Sequence, residues 1–271
     1  MRLVEIRRRL RIYRHASKRE LIRGRRVFRL NGSSLEVPAE RAWAYADGTY
    51  YEKNVLHWLR RAAAAIEAPV FYDVGANCGQ YTVTLASAAK SVYAFEPIQA
   101  TYAVLERNIA RNGLTNVTPF RLALGDAGGR ATFFLYSSSG LNSAVPRRER
   151  PTGKEEVEVV TVDELLDEKQ VQPPDLVKID TEGSELFVLQ GARRMIRAFS
   201  PVVFLEFDPE KTCAAGYSFA DIQDELSRYS YSIFGLSDPF TGDPQDTTLH
   251  RLDGASEHPG NLVAIPPGRV L

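Results

Sequence analysis

Val70-Phe-Tyr-Asp-Val-Gly-Ala-Asn-Cys-Gly-Gln-Tyr-Thr82 is the stretch from which the fold is read. Its opening run of β-branched and aromatic residues predicts a buried parallel strand, with Asp73 at the carboxyl end. Gly75, Asn77 and Gly79 follow at alternate positions, and a helix-compatible segment runs from 80 to 89. Strand, glycine loop and helix together bring backbone N–H groups and a helix amino end against a ligand. Glycine lets the backbone come close and tolerates positive φ; Asn is the next most tolerant residue. A dinucleotide fingerprint needs glycines at 75, 77 and 80, but the chain has Gly75, Asn77 and Gln80. A Walker loop is excluded because no Gly-Lys-Ser/Thr follows.

The loop instead resembles the first motif of class I methyltransferases, which use S-adenosylmethionine. An acid at position 73 suits the ammonium of that ligand and would be badly placed beside a pyrophosphate.

At 271 residues the chain is long enough for one large domain or two small ones, with a sizeable core either way. Two cysteines, Cys78 and Cys213, are too few for a disulfide framework or a zinc site and fit a reducing compartment. No apolar run approaches the roughly 20 residues that span a bilayer, and the basic N-terminus lacks the apolar core of a signal peptide. The expected location is cytoplasmic. Net charge is zero but uneven: residues 1–30 hold twelve Lys/Arg against Glu5 and Glu20, leaving −10 on the remainder. Such an arm suits a peripheral contact with an anionic membrane, a nucleic acid, or a helix folded onto the acidic body or a dimer partner.

Residues 1–49 read as this arm followed by short strands and a cap, and 50–271 as the main domain. Tyr51, Val55, Trp58 and Leu59 recur at helical spacing, predicting a helix over 50–66 that caps the ligand site; His57 in it reads as a packing or surface residue. Ser91–Phe95 reads as a second strand ending in Glu96-Pro97, so that Glu96 shares a sheet edge with Asp73 and suits a ribose diol. A helix over 98–112 and a third strand over 117–124 follow, and the Gly125-Asp126 turn brings Ala123, Leu124 and Asp126 toward an adenine. An irregular insertion, 137–156, is the candidate acceptor loop.

Asp175-Leu-Val-Lys-Ile-Asp-Thr-Glu-Gly-Ser-Glu185 is the second informative stretch. Asp180 ends a strand, Ser184 is placed to cap a helix running to 199, and Glu185 reads as a solvated acid at that helix's amino end. Pro201–Phe207 is another buried strand with Glu206 near its end; 218–229 reads as helical, and two closing strands enclose a polar loop carrying Asp238, Asp243, Asp246 and His250.

Asp73-Val-Gly-Ala-Asn-Cys-Gly79, Phe95-Glu-Pro97, Ala123-Leu-Gly-Asp126, Lys178-Ile-Asp-Thr-Glu-Gly-Ser-Glu185 and Leu205-Glu-Phe207 occur in that order. Together they resemble the FkbM family of methyltransferases over roughly 50–210. Thr181 stands where a small aliphatic residue is more usual. The resemblance implies a Rossmann-like class I α/β fold with a seven-stranded, mostly parallel sheet in the order 3-2-1-4-5-7-6. It implies S-adenosylmethionine held by Asp73, Gly75, Ala76, Asn77, Gly79, Tyr81, Thr82, Glu96, Pro97, Ala123, Leu124 and Asp126. It also implies methyl transfer, usually to a hydroxyl oxygen.

An alcohol is a poor nucleophile at neutral pH and needs a proton acceptor. Asp180 is the expected base; alternatively Asp180, Glu182 and Glu206 are the catalytic set that holds a Mg²⁺, with Asp180 and Glu206 as its principal ligands. Expected acceptors are a hydroxyl on a sugar, glycan or glycolipid, then one on a polyketide-type or other natural product. A nucleic-acid methyltransferase is disfavoured because the chain has no Asn/Asp-Pro-Pro-Tyr/Phe motif. A silent binding module is disfavoured by the retained acids, and an oxidoreductase by Asn77 and Gln80.

Overall fold

The computed structural model describes residues 26–30, 32–45, 50–237, 243–252, 260–269 and 271. Most of the basic arm and Asp238 of the polar loop therefore lie outside the described residues. The elements, in order, are strands β1 (Arg26–Leu30) and β2 (Ser33–Val37), a 3-10 turn at Ala39–Tyr45, α1 (Lys53–Ala64), β3 (Val70–Val74), α2 (Gln80–Leu85) and β4 (Ser91–Phe95). Next come α3 (Gln99–Arg111), β5 (Val117–Phe120), β6 (Ala123–Leu124), β7 (Gly129–Leu135), β8 (Gly153–Val160), α4 (Val162–Asp167) and β9 (Leu176–Ile179). The chain continues with α5 (Glu185–Gln190), α6 (Arg193–Phe199), β10 (Val202–Phe207), α7 (Pro209–Ala214), α8 (Phe219–Ser227), β11 (Ser232–Leu236), β12 (Leu249–Arg251) and β13 (Gly260–Ile265).

The main sheet runs β12-β11-β13-β10-β9-β3-β4-β5. From β10 to β5 every pairing is parallel; β13 lies antiparallel to both β10 and β11, and β12 antiparallel to β11. The expected count of seven is thus corrected to eight in a mixed sheet. The additional strand, Leu249–Arg251, comes from the stretch read as a polar loop, where three residues are too few to show a period.

Along β3 the side chains alternate between two cores. Tyr72 and Val74 pack with Phe95, Ile179, Leu205, Ile196 and Leu226 on one face, while Phe71 packs with Val92, Phe204, Leu59 and Leu85 on the other. Both faces are covered, which is why the strand reads as an unbroken apolar run. The helix α1 buries Val55, Leu56, Trp58, Leu59, Ala62 and Ala63 against the second core. It packs on the sheet and does not cap the ligand site; only Tyr51 and Glu52, just before it, reach that site.

Three other expectations are corrected. The third strand splits: β5 stays beside β4, but β4 ends before Pro97, and 123–124 pairs instead with β8 in a separate sheet, β6-β8-β7. β8 already begins at Gly153, so the insertion is shorter than expected. The helix expected over 184–199 is broken at Gly191-Ala192. The Gly191 carbonyl accepts the Asp163 N–H, and the Asp163 carboxylate accepts the N–H groups of Arg194 and Met195, each at 2.9 Å. A side chain from α4 thereby supplies the cap that starts α6. A Cβ at Gly191 would stand 1.9 Å from the Gly125 carbonyl oxygen, so only glycine permits this approach.

The N-terminal hairpin is tied down by one buried side chain. Asn108 on α3 accepts the Glu36 N–H at 2.7 Å and donates to the carbonyls of Glu36 and Cys78 at 2.8 and 2.7 Å. We expect Asn108→Leu to strand these buried groups and lower stability by about 2 kcal/mol or more in urea unfolding; an unchanged midpoint would show that the hairpin is not anchored there.

Candidate active site

The glycine loop sits directly on the tip of β9. Gly75 has φ +80°, and a Cβ there would lie 1.9 Å from the Asp180 carbonyl oxygen. Asn77 also has a positive φ, 50°, stabilised by its own Oδ1 accepting the Cys78 N–H at 2.9 Å. The Asn77 backbone N–H donates to Glu96 Oε2 at 2.9 Å and its Nδ2 to the Ser139 carbonyl at 3.2 Å. Glu96 accepts a second backbone N–H, from Ile98, at 3.0 Å. Burial pushes Glu96 up to about 7, opposed by these two donors.

Asp73 faces the other way. Its Oδ2 accepts the Thr82 N–H at 2.8 Å and the Thr82 hydroxyl at 2.5 Å, and it does not line the cavity. The expected contact of Asp73 with a ligand ammonium is corrected: this carboxylate is an internal clip of the loop. Burial raises it to about 6, while Thr82 and Lys178 act to lower it. Ala76, Gly79, Tyr81 and Thr82 likewise shape the loop from behind and are not part of the cavity wall. Tyr81 donates its hydroxyl to Glu52 at 2.6 Å.

A cavity of about 480 Å³ opens over the strand tips. Gly75, Asn77, Glu96, Pro97, Ala123, Leu124, Asp126, Asp180, Glu182 and Glu206 all line it. Phe95, Ile98, Leu122, Phe133 and Phe187 make an apolar slot beside Glu96. Residues 138–142, Ala144 and Arg147 of the insertion form part of the wall. His57 is not part of it.

At the far end three acids converge, and one oxygen from each of Asp180, Glu182 and Glu206 lies within 4.8 Å of the others. Each is matched by a cation. Lys178, fully buried, places Nζ 3.2 Å from Asp180 Oδ2. Lys211 Nζ stands 2.6 Å from Glu206 and 2.8 Å from Glu182, which also meets Arg147. Burial alone would raise Asp180, yet Lys178, with Lys211 and Arg41 beyond, holds it below the usual carboxylate range. Glu206 goes the opposite way: burial and the neighbouring Asp180 charge push it up to about 8, despite Lys211. Lys211 itself is held above its ordinary range by Glu182 and Glu206 against the effect of burial, so its ammonium stays charged.

These oxygens do not suit a Mg²⁺. The ion would have to take oxygens already hydrogen-bonded to two ammonium groups.

Glu185 is 2 % exposed, not solvated. Its carboxylate gathers the N–H groups of Thr181 and Gly183 and the Tyr217 hydroxyl, and it holds the acidic turn in shape. Ser184 makes no side-chain cap. Within the turn Glu182 has φ +59°, fixed where Ser143 Oγ donates to its carbonyl at 2.8 Å. Sequence reasoning missed Arg41, Trp43, Glu52, Arg147, Asp208 and Lys211. Asp208-Pro209 did carry a signal, an N-cap followed by proline at the first helical position, and it starts α7, which supplies Lys211.

The sequence profile of the methyltransferase FkbM domain matches residues 73–233, more than half of the chain. The chain belongs to the FkbM methyltransferase family. Its class I methyltransferase-like fold, a mixed sheet flanked by helices, accords with that membership. Hexuronic acid methyltransferase AglP of Haloferax volcanii is 30 % identical over 152 residues, covering 56 % of this chain and 61 % of AglP. Methyltransferase 1 of Beauveria bassiana is 27 % identical over 140 residues, covering 44 % of this chain and 56 % of that protein. The chain thus spans about three fifths of the length of these relatives. Among solved structures, a methyltransferase FkbM from Methylobacillus flagellatus superposes with a TM-score of 0.49 at 18 % identity, covering 96 % of this chain and 60 % of that one.

Removing Lys178 leaves Asp180 without its buried partner. We expect Lys178→Met to destabilise the protein by about 2 kcal/mol or more, and the double variant with Asp180→Asn to regain part of the loss. Strict additivity in urea unfolding would show that the two do not act as a pair.

Proposed function

We propose that this chain is an S-adenosylmethionine-dependent methyltransferase that methylates a hydroxyl on a sugar, glycan or glycolipid. The observation that carries the reading is a single cavity with Glu96 and an apolar slot at one end and the Asp180–Glu182–Glu206 cluster at the other. The residues fit the donor. The Glu96 carboxylate spends one hydrogen bond per oxygen on backbone N–H groups and has capacity for a ribose diol. The slot between Leu124, Phe133 and Phe187 suits an adenine, with Asp126 at its rim. Ser139 Oγ, a buried hydroxyl with no hydrogen-bond partner among the described residues, lines the same wall.

When bound, the donor supplies an electrophilic methyl on a cationic sulfur. The protein supplies alignment, worth up to roughly 7–11 kcal/mol for a displacement of this kind. Two carboxylates in opposed environments take two roles. Asp180 is held below the usual carboxylate range by Lys178, and its negative charge favours a cation at the centre of the cavity. Glu206, close to neutrality in its proton affinity, accepts the proton of the acceptor hydroxyl. The proton acceptor expected at Asp180 is therefore assigned to Glu206. Lys211 holds Glu206 and Glu182 in place.

The sugar reading is supported by Trp43 and Tyr51 at the cavity wall, 39 % and 37 % exposed, with rings 6.4 Å apart. Exposed aromatic faces of this kind suit the apolar face of a pyranose. The hexuronic acid methyltransferase relative points in the same direction.

Mass spectrometry of oligosaccharides and uronates incubated with isotopically labelled donor should detect a singly methylated product; label appearing only on nitrogen or carbon acceptors would refute the O-directed reading. Glu206 is protonated below about 8 and ionised above it, so turnover should rise as pH passes through about 8 and then level. Glu206→Gln should abolish that limb and lower turnover roughly 10²- to 10⁴-fold with little change in S-adenosylhomocysteine affinity. Prolonged chelation should leave turnover intact.

A further inference from the structure

Among the described residues, three basic side chains line the cavity: Arg41, Arg147 and Lys211. Arg147 is paired with Glu182, and Lys211 with Glu182 and Glu206. Arg41 is different. Its guanidinium lies over the Tyr51 ring, 5.4 Å from the centroid, and packs on Gly140, where a Cβ would come within 2.2 Å of Nη1. Among the described residues, no carboxylate lies at ion-pair distance from it and no hydrogen bond uses its N–H groups. The acid whose charge reaches it, Asp180, is already bonded to Lys178. A half-buried guanidinium with its fork unfilled is matched by a planar anion, and a carboxylate fits two N–H groups at once.

The surroundings narrow the anion further. Seven carboxylates line the same cavity, so a phosphate or other polyanion meets repulsion there. A carboxylate that carries its own ammonium does not, because the acids around it attract the cationic half. Ser139 of the insertion links the 3-10 turn bearing Arg41 to the glycine loop: Glu40 accepts the Ser139 N–H at 3.3 Å, and the Ser139 carbonyl accepts Asn77 Nδ2.

We propose that Arg41 binds the α-carboxylate at the amino-acid end of the methyl donor. The proposal rests on reading the cavity as the donor site and adds to it a residue outside the 73–233 family match.

Isothermal titration of the full chain with two nucleosides tests it. S-adenosylhomocysteine carries the amino-acid end; 5′-methylthioadenosine shares the adenosine and the sulfur but lacks that end. Arg41→Met should weaken S-adenosylhomocysteine roughly 10- to 100-fold and leave methylthioadenosine unchanged, while Arg41→Lys should fall between wild type and Arg41→Met. Methylthioadenosine also reports that the variant cavity is intact. Equal weakening of both nucleosides, or of neither, overturns the proposal. So does unchanged S-adenosylhomocysteine affinity with weakened binding of glucuronate to the S-adenosylhomocysteine complex, which would move the carboxylate to the acceptor. Failure of the wild type to bind either nucleoside brings down the donor reading and the proposal with it; failure of the Arg41→Met contrast alone leaves the donor reading standing.

Discussion

The contact between Gly75 and the Asp180 carbonyl governs the rest of the site. A Cβ on Gly75 would stand 1.9 Å from that oxygen, so no side chain can stand between the glycine loop and the tip of β9. That approach lets the turn at 75–79 fold over the sheet edge and carries the Asn77 N–H to Glu96. Asp73 then has its task set for it: with the loop folded this tightly, its carboxylate turns inward and secures Thr82. The loop shapes a cavity wall from backbone and short side chains, leaving the space above for a ligand.

Charge compensation governs the opposite end. Three carboxylates gathered in a half-buried space would repel one another and protonate. Lys178 from β9 and Lys211 from α7 prevent this unequally, since Lys178 serves Asp180 alone while Lys211 is divided between Glu182 and Glu206. The inequality drives the carboxyls apart in proton affinity, one kept ionised and one brought near neutrality. Chemically distinct roles for residues of one type follow from where the two ammonium groups stand.

The N-terminal segment completes the wall. The hairpin β1-β2 is held by Asn108 and by Glu36, which takes Arg107 and Arg111 at 2.9 and 3.1 Å. From that anchor the 3-10 turn delivers Arg41 and Trp43 to the cavity, and the start of α1 delivers Tyr51 and Glu52. None of these lies in the stretch matched by the family profile. Together with residues 138–142, Ala144 and Arg147 of the insertion, they close the cavity wall.

Sequence alone determined the alternation of strands and helices, the glycine loop, the strand-end acids at 96, 180 and 206, and the family resemblance. These are local properties: an apolar run bounded by Gly, Pro or an acid carries its meaning within a few residues. Tertiary structure decided the direction of Asp73, the burial of Glu185, the break at Gly191 and the assignment of Lys178 and Lys211 to particular carboxylates. Each depends on a partner far along the chain or on which way a strand-end side chain turns, as Asp163 does for α6 and Tyr217 for Glu185. A short strand such as Leu249–Arg251 likewise exists only because Phe234–Leu236 presents an open edge to pair with. Spacing in sequence records what a residue can do; the charges and donors packed around it by the fold decide what it does.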